Sequence, residues 1–112
     1  YKGIKVAIKV LKATIDKKEL KNFNSEIDIL KHANSPNVIR FYGGCLKPKI
    51  CLVMELCENG SLYHLLQKKD LNITWDMSLR FAIETISGIA ALHSLDPPVV
   101  HRDLKTLNLL VD

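Results

Sequence analysis

An α+β fold is what this sequence predicts, on three observations. The first 56 residues hold short β-branched runs of period two around one amphipathic helix. The residues after Gly60 hold a short helix and a long one, each opening on a hydroxyl side chain suited to an N-cap, Ser61 and Thr74. Between them, Cys57–Gly60 has the composition of a hinge. The expected organisation is a strand-rich unit over residues 1–56, a hinge over 57–60 and a helical unit over 61–112.

The elements follow in order. In Lys5–Lys12, Val6, Ile8 and Val10 alternate with Lys5, Ala7, Lys9 and Leu11, which is the pattern of a strand. Asp16 followed by Glu19 supplies an N-cap acceptor and a carboxylate three residues on. Leu20, Phe23, Ile27 and Leu30 then recur at helical spacing, so a helix of about 16 residues should end near His32–Asn34. Ser35-Pro36-Asn37 reads as a turn, Val38–Tyr42 as a strand and Gly43-Gly44 as its break or bulge. Lys47-Pro48-Lys49 is a second turn, and Ile50–Leu56 a buried strand. Ser61–Gln67 is a short helix. From Thr74 a long helix runs to about Ser94, with an apolar stripe of Leu79, Ile83, Ile86 and Ala90 widened by Ala82 and Ile89. Asp96-Pro97-Pro98 ends it, because proline cannot continue a helix. An extended pair, Val99-Val100, leads into a polar loop and then a strand at Leu109–Val111.

Composition excludes several classes. With 112 residues, 47% apolar and 25% charged, the chain is that of one globular domain rather than a disordered tail. The longest apolar stretch, Ile50–Met54, falls far short of the about 20 residues that cross a bilayer. The net charge of +4 does not indicate nucleic acid: the eight lysines of the first 31 residues are interleaved with Asp16, Glu19, Glu26 and Asp28, with no aromatic platform among them. Cys45, Cys51 and Cys57 form no C-x-x-C pair and read as reduced, buried, apolar residues of a cytoplasmic protein.

Two short motifs carry chemistry. His101-Arg102-Asp103-Leu104-Lys105-Thr106-Leu107-Asn108 matches H-R-D-L-x-x-x-N at all five defined positions. Val6-Ala7-Ile8-Lys9 matches V-A-I-K and sits on a strand, as that motif requires. In this order, with a capped helix between them, they identify the chain as resembling the protein kinase family over its whole length. Pro97–Val100 running into HRDLKTLNLL is most similar to the tyrosine-kinase-like group of serine/threonine kinases. The resemblance implies a two-lobed kinase fold, here incomplete, with ATP and Mg2+ as cofactors and a protein carrying Ser or Thr as substrate.

Physical chemistry agrees with the roles so implied. Phosphoryl transfer asks the protein mainly for positioning and charge neutralisation. Lys9 points to the face opposite Ile8 and Val10, where an ammonium can meet the α- and β-phosphates. Glu26 lies at the edge of the helix's apolar stripe, where a carboxylate needs a cation, and the resemblance makes it the partner of Lys9. Glu19 is taken up by the cap, and Asp28 falls off the stripe. Asp103 is the candidate base for the substrate hydroxyl, Lys105 the cation for the transferring phosphate, and Asn108 the magnesium ligand through its amide oxygen. Lys105 also resembles the serine/threonine rather than the tyrosine pattern. Arg102 resembles the arginine of kinases activated by phosphorylation of their activation loop.

The remaining site residues come from the resemblance alone. Met54 takes the gatekeeper position, the backbone of Glu55 and Cys57 meets the adenine edge, and Ser61 falls where the ribose is contacted. Ala7 and Leu110 would enclose the adenine ring. Leu30, Phe41 and His101 would belong to a stacked column joining the lobes, with His101 structural. Two departures matter more than Ser35, which stands where histidine is common: the chain contains neither a G-x-G-x-x-G loop nor a D-F-G. The sequence thus reads as part of a kinase domain, inactive and poorly folded alone, with the Leu79–Ala90 stripe partly uncovered. The alternatives are a pseudokinase or scaffold module, and a kinase of dual or tyrosine specificity.

Overall fold

The computed structural model describes residues 1–11 and 16–112, with Glu26 described in its backbone alone. The strand-rich part is a three-stranded antiparallel sheet of order β1-β3-β2, formed by β1 (Val6–Val10), β2 (Phe41–Cys45) and β3 (Cys51–Glu55). The alternation of Val6, Ile8 and Val10 produces β1 as expected, while Lys12 lies outside the described residues.

β2 differs from expectation. It begins three residues later than Val38 and runs through Gly43-Gly44 instead of ending there. The glycines do mark an irregularity, since the register with β3 shifts between Phe41 and Gly43. A bulge of this kind takes up one extra residue, Tyr42, without ending the ladder. The preceding residues 35–37 are held as a turn, in which Asn37 N–H donates to Ser35 Oγ at 3.2 Å and Val38 N–H to Ser35 O at 3.3 Å.

Helix α1 (Lys17–Lys31) crosses from β1 to β2 and packs on β2. Asp16 caps it, its Oδ1 accepting Glu19 N–H at 2.8 Å. The bond thus engages the backbone of Glu19. The predicted stripe faces inward: Ile27 is buried, and Leu20, Phe23 and Leu30 are half-buried. A methyl group on Gly44 would lie 3.7 Å from the Phe23 ring and 3.9 Å from Leu52. Phe23 and Leu52 therefore share one face of the sheet. Lys9 is the cross-strand partner of Leu52 and Ala7 that of Met54, so both lie on this α1 side. Ile8 and Val10 lie on the opposite side, where they are exposed.

After β3 the chain turns at Gly60, whose φ of 70° suits a residue without a Cβ. Helix α2 (Leu62–Leu66) is capped by Ser61 and buries Leu62 and Leu65. Helix α3 (Trp75–His93) is capped by Thr74, whose Oγ1 accepts Met77 N–H at 3.2 Å. Its inward face corrects the sequence expectation. Gly88 and Leu92 are buried, and Met77, Phe81 and Thr85 are half-buried on the same line. Leu79, Ile83 and Ile86 are 43%, 62% and 66% exposed. The helix is apolar on two sides, and the side that packs within this chain is the one that admits a close neighbour. A Cβ on Gly88 would sit 2.5 Å from Asn37 O, so α3 lies directly against the turn that precedes β2.

The last segment forms a short 3-10 turn, Thr106–Asn108, which packs on α2. Leu109–Val111 does not join the sheet as a strand. It makes one isolated bridge, Leu110 with Ser61, because its partner segment turns at Gly60 and enters a helix at Leu62. The cysteines are free thiols, as expected, but Cys45 is exposed rather than buried because it ends β2 at the mouth of the hairpin turn.

Candidate active site

The polar loop after α3 is set by local bonds. Ser94 caps the helix, and Val99 N–H donates to Leu92 O at 3.0 Å, folding the extended Val99-Val100 pair back along the helix end. Arg102 adopts a φ of 64°, a left-handed conformation that costs a non-glycine residue about 1 kcal/mol or more. This kink lets Asp103 N–H donate to His101 Nδ1 at 3.2 Å. His101 therefore acts on the loop's backbone, consistent with a structural part.

Three predicted residues converge at the loop. Asn108 Nδ2 donates to Asp103 O at 2.9 Å and to Asp103 Oδ2 at 3.1 Å. Lys105 Nζ lies 3.3 Å from the same Oδ2. Asp103 and Lys105 are largely exposed, so the ion pair itself adds at most about 1 kcal/mol. Its importance is geometric: it holds a carboxylate, an ammonium and an amide in one accessible cluster. Because the Asn108 amide nitrogen is turned to Asp103, its carbonyl oxygen is the atom left to meet a hard cation, and an oxygen donor fits magnesium. Among the described residues no group of three or more His, Cys, Asp or Glu side chains could hold a metal.

The sheet supplies a second group. Ala7 pairs with Met54, Phe41 flanks Met54 on the other side, and Lys9 pairs with Leu52. Lys9 is exposed on the α1 side of the sheet. The expected pairing with Glu26 rests on a side chain outside the described residues. Leu30, Phe41 and His101, the residues expected to stack between the lobes, are each half-buried.

The hinge supplies the third group, bound to the end of the polar loop. Leu62 N–H donates to Leu109 O at 2.7 Å, Val111 N–H to Gly60 O at 2.8 Å and Asn59 N–H to Val111 O at 3.2 Å. Leu110 is thereby fixed beside Ser61. Ser61 is buried, and its hydroxyl both accepts His64 N–H at 3.3 Å and meets His64 Nδ1 at 2.7 Å. That hydroxyl is committed to the α2 cap, and a ribose contact would have to share it. Glu55 sends its N–H to Arg40 O at 2.8 Å, and its carboxylate accepts Arg40 N–H at 3.1 Å. The Cys57 carbonyl accepts Gly60 N–H at 3.1 Å.

Two contacts at the hinge were not visible in the sequence. The Cys57 thiol is pushed up from an ordinary 9.0 to about 11, first by burial, then by its hydrogen bond to Asp112, and then by the negative charges of Asp112 and Glu55. The Asn59 amide also donates to Asp112 O. Both join residues more than 50 positions apart, and no local pattern signals such a contact.

A loop that gathers Asp103, Lys105 and Asn108 is thus tied through Leu109–Val111 to the segment that joins the sheet to the helical part. The sequence matches the protein tyrosine and serine/threonine kinase family over residues 1–112, and the chain belongs to that family. It is similar to the stress-activated protein kinase alpha of Dictyostelium discoideum, at 53% identity over 112 residues, which is 100% of this chain and 18% of that protein. A probable serine/threonine-protein kinase of the same organism is 47% identical over 111 residues, 99% of this chain and 5% of that protein. The ankyrin repeat-containing protein kinase A of that organism is 45% identical over 112 residues, 100% of this chain and 8% of that protein. The chain spans less than a fifth of the length of these relatives.

Proposed function

We propose that this chain is the part of a protein serine/threonine kinase that accepts ATP and carries the catalytic loop, and that the whole protein transfers the γ-phosphate of ATP to a Ser or Thr hydroxyl. The observation that carries the reading is the joining of Asp103 to Lys105 and Asn108 through one carboxylate oxygen. Asp103 Oδ1 is left to accept the substrate hydroxyl's hydrogen bond and orient its oxygen for in-line attack. Lys105 neutralises charge on the phosphate as it moves. Asn108 holds Mg2+ through its amide oxygen, and the ion supplies neutralisation of the phosphate oxygens when bound. Lys9, paired with Glu26, holds the α- and β-phosphates.

The adenine ring lies between Ala7 and Leu110, beyond the gatekeeper Met54, and takes its hydrogen bonds from the backbone of Glu55 and Cys57. Ser61 lies on the ribose side. The preference for Ser and Thr is supported by Lys105 and by the similarity to a probable serine/threonine-protein kinase. A cytoplasmic location is part of the same proposal, supported by the free thiols.

The test is Asp103→Asn in the full-length protein, assayed with ATP and a Ser/Thr peptide library. Loss of a base of this kind lowers kcat by about 10²–10⁴-fold, with KM for ATP little changed. If the unmodified protein transfers no phosphate yet still binds ATP, the pseudokinase reading replaces this one. Phosphate found on tyrosine instead would overturn the assigned specificity.

A further inference from the structure

Cys45 and Cys51 are direct partners across the β2–β3 ladder, on either side of the turn formed by residues 46–50. The state of this pair follows from the other edge of β3. Leu11 N–H donates to Ile50 O at 2.9 Å, in register with the Val10–Cys51 pair beside it. Bonded and non-bonded pairs alternate along an antiparallel ladder. The backbone groups of Cys51 therefore turn away from β1 and toward β2. Cys45 and Cys51 then form a hydrogen-bonded pair, whose Cα atoms stand about 5.5 Å apart with both side chains on one face. Disulfides accept Cα separations of about 4.4–6.8 Å. Their Cβ atoms prefer about 3.5–4.5 Å, so closure draws the strand ends together by about 1 Å. The pair is the last of the ladder, at the hairpin's closed end next to the turn, where such a shift disturbs the sheet least.

We propose that Cys45 and Cys51 are a reversible dithiol–disulfide pair, closed by hydrogen peroxide across the β2–β3 hairpin. Both are free thiols in the structure. Cys45 is exposed and at present donates its S–H to Lys47 O at 2.7 Å, while Cys51 is half-buried beside it. The oxidant therefore meets Cys45 first. Peroxide transfers one oxygen to the Cys45 sulfur, giving a sulfenic acid and one water. The Cys51 sulfur then attacks the Cys45 sulfur, the S–O bond breaks, and a second water leaves with the Cys51 proton. The two thiols have supplied the two electrons that reduced the peroxide. A bond closed under this strain is more easily reduced than a structural disulfide, so a dithiol returns both thiols. Once formed, it locks the register of β2 on β3 below the bulge. Cys57 stands apart, beyond the far end of β3, held protonated by burial and Asp112.

The test is made on the full-length protein. It is treated with hydrogen peroxide, remaining thiols are alkylated under denaturing conditions, and the digest includes cleavage after Glu55 to separate Cys51 from Cys57. The expected product is a peptide pair joined through Cys45 and Cys51, lighter by two hydrogens and released by dithiothreitol, with Cys57 recovered alkylated. In Cys51→Ala, Cys45 should stop at the sulfenic acid and be captured by dimedone, several-fold more than in the unsubstituted protein. Recovery of Cys45 and Cys51 as separate thiols or separate sulfinic acids overturns the proposal. So does a link from either one to Cys57 or to a second molecule. If Cys51→Ala does not fold, the peptide map of the unsubstituted protein decides alone.

Discussion

At the residue scale, Gly88 and Cys57 show how a neighbour decides a side chain's meaning. Replacing a helical glycine by alanine ordinarily gains about 1 kcal/mol of helix propensity. At Gly88 the new methyl would meet a backbone carbonyl oxygen at 2.5 Å, which cannot rotate away. Overpacking of this kind costs about 1–3 kcal/mol, so Gly88→Ala should lower stability on balance. Chemical denaturation of the full-length protein checks it, and an increase in midpoint would contradict the contact. For Cys57 the raised thiol gives a signed pH dependence. The folded value of about 11 lies above the ordinary 9.0, so the associated stability is fully present below about 9 and is lost as pH rises toward 11. The thiolate is the nucleophile. Iodoacetamide at pH 8 should therefore label Cys57 much more slowly than exposed Cys45, and the gap should narrow toward pH 11. Equal rates at pH 8 would contradict burial of the thiol against Asp112.

Elements here owe their ends to single side chains. Asp16, Ser61 and Thr74 each accept a backbone N–H from the first turn of the helix that follows. Thr74→Ala leaves Met77 N–H without that acceptor and should cost about 1 kcal/mol, read as a lower denaturation midpoint with an unchanged slope. The strands owe their extent to partners instead. Phe41–Cys45 continues through two glycines because β3 offers it a bonded neighbour, whereas Leu109–Val111 stops at one bridge because its neighbour becomes a helix.

For the whole molecule, the decisive quantity is apolar surface left facing water. Ile27, Leu62, Leu65 and Leu92 are the buried apolar residues among those described, while Ile8, Trp75, Ile83 and Ile86 are 60% exposed or more. Among the described residues no helix is long and apolar enough to cross a membrane. A chain with so small a core lacks the burial that offsets conformational entropy. The 112 residues alone should therefore melt without a cooperative transition, bind a hydrophobic dye and transfer no phosphate. Calorimetry and a kinase assay on this segment, beside the full-length protein, test both statements. A sharp calorimetric peak from the segment would refute the first.

How much could be read in advance depended on range. Asp103, Lys105 and Asn108 lie within six residues, so their gathering needed only a loop, and the motif announced it. The caps and the inward stripe of α1 were equally legible, because capping and helical periodicity act over three or four residues. The α3 stripe misled because that helix is apolar on two sides. Periodicity finds such faces but cannot say which one a neighbour will cover. The choice fell to the contact of Gly88 with Asn37, 51 positions earlier in the chain. The same holds for the approach of Asp112 to Asn59 and for the side of the sheet on which Lys9 lies. Local patterns in the sequence carried the family resemblance, most of the elements and the gathering of Asp103, Lys105 and Asn108. Packing between distant segments, which only the tertiary structure contains, decided which faces became core and which thiols stayed within reach of solvent.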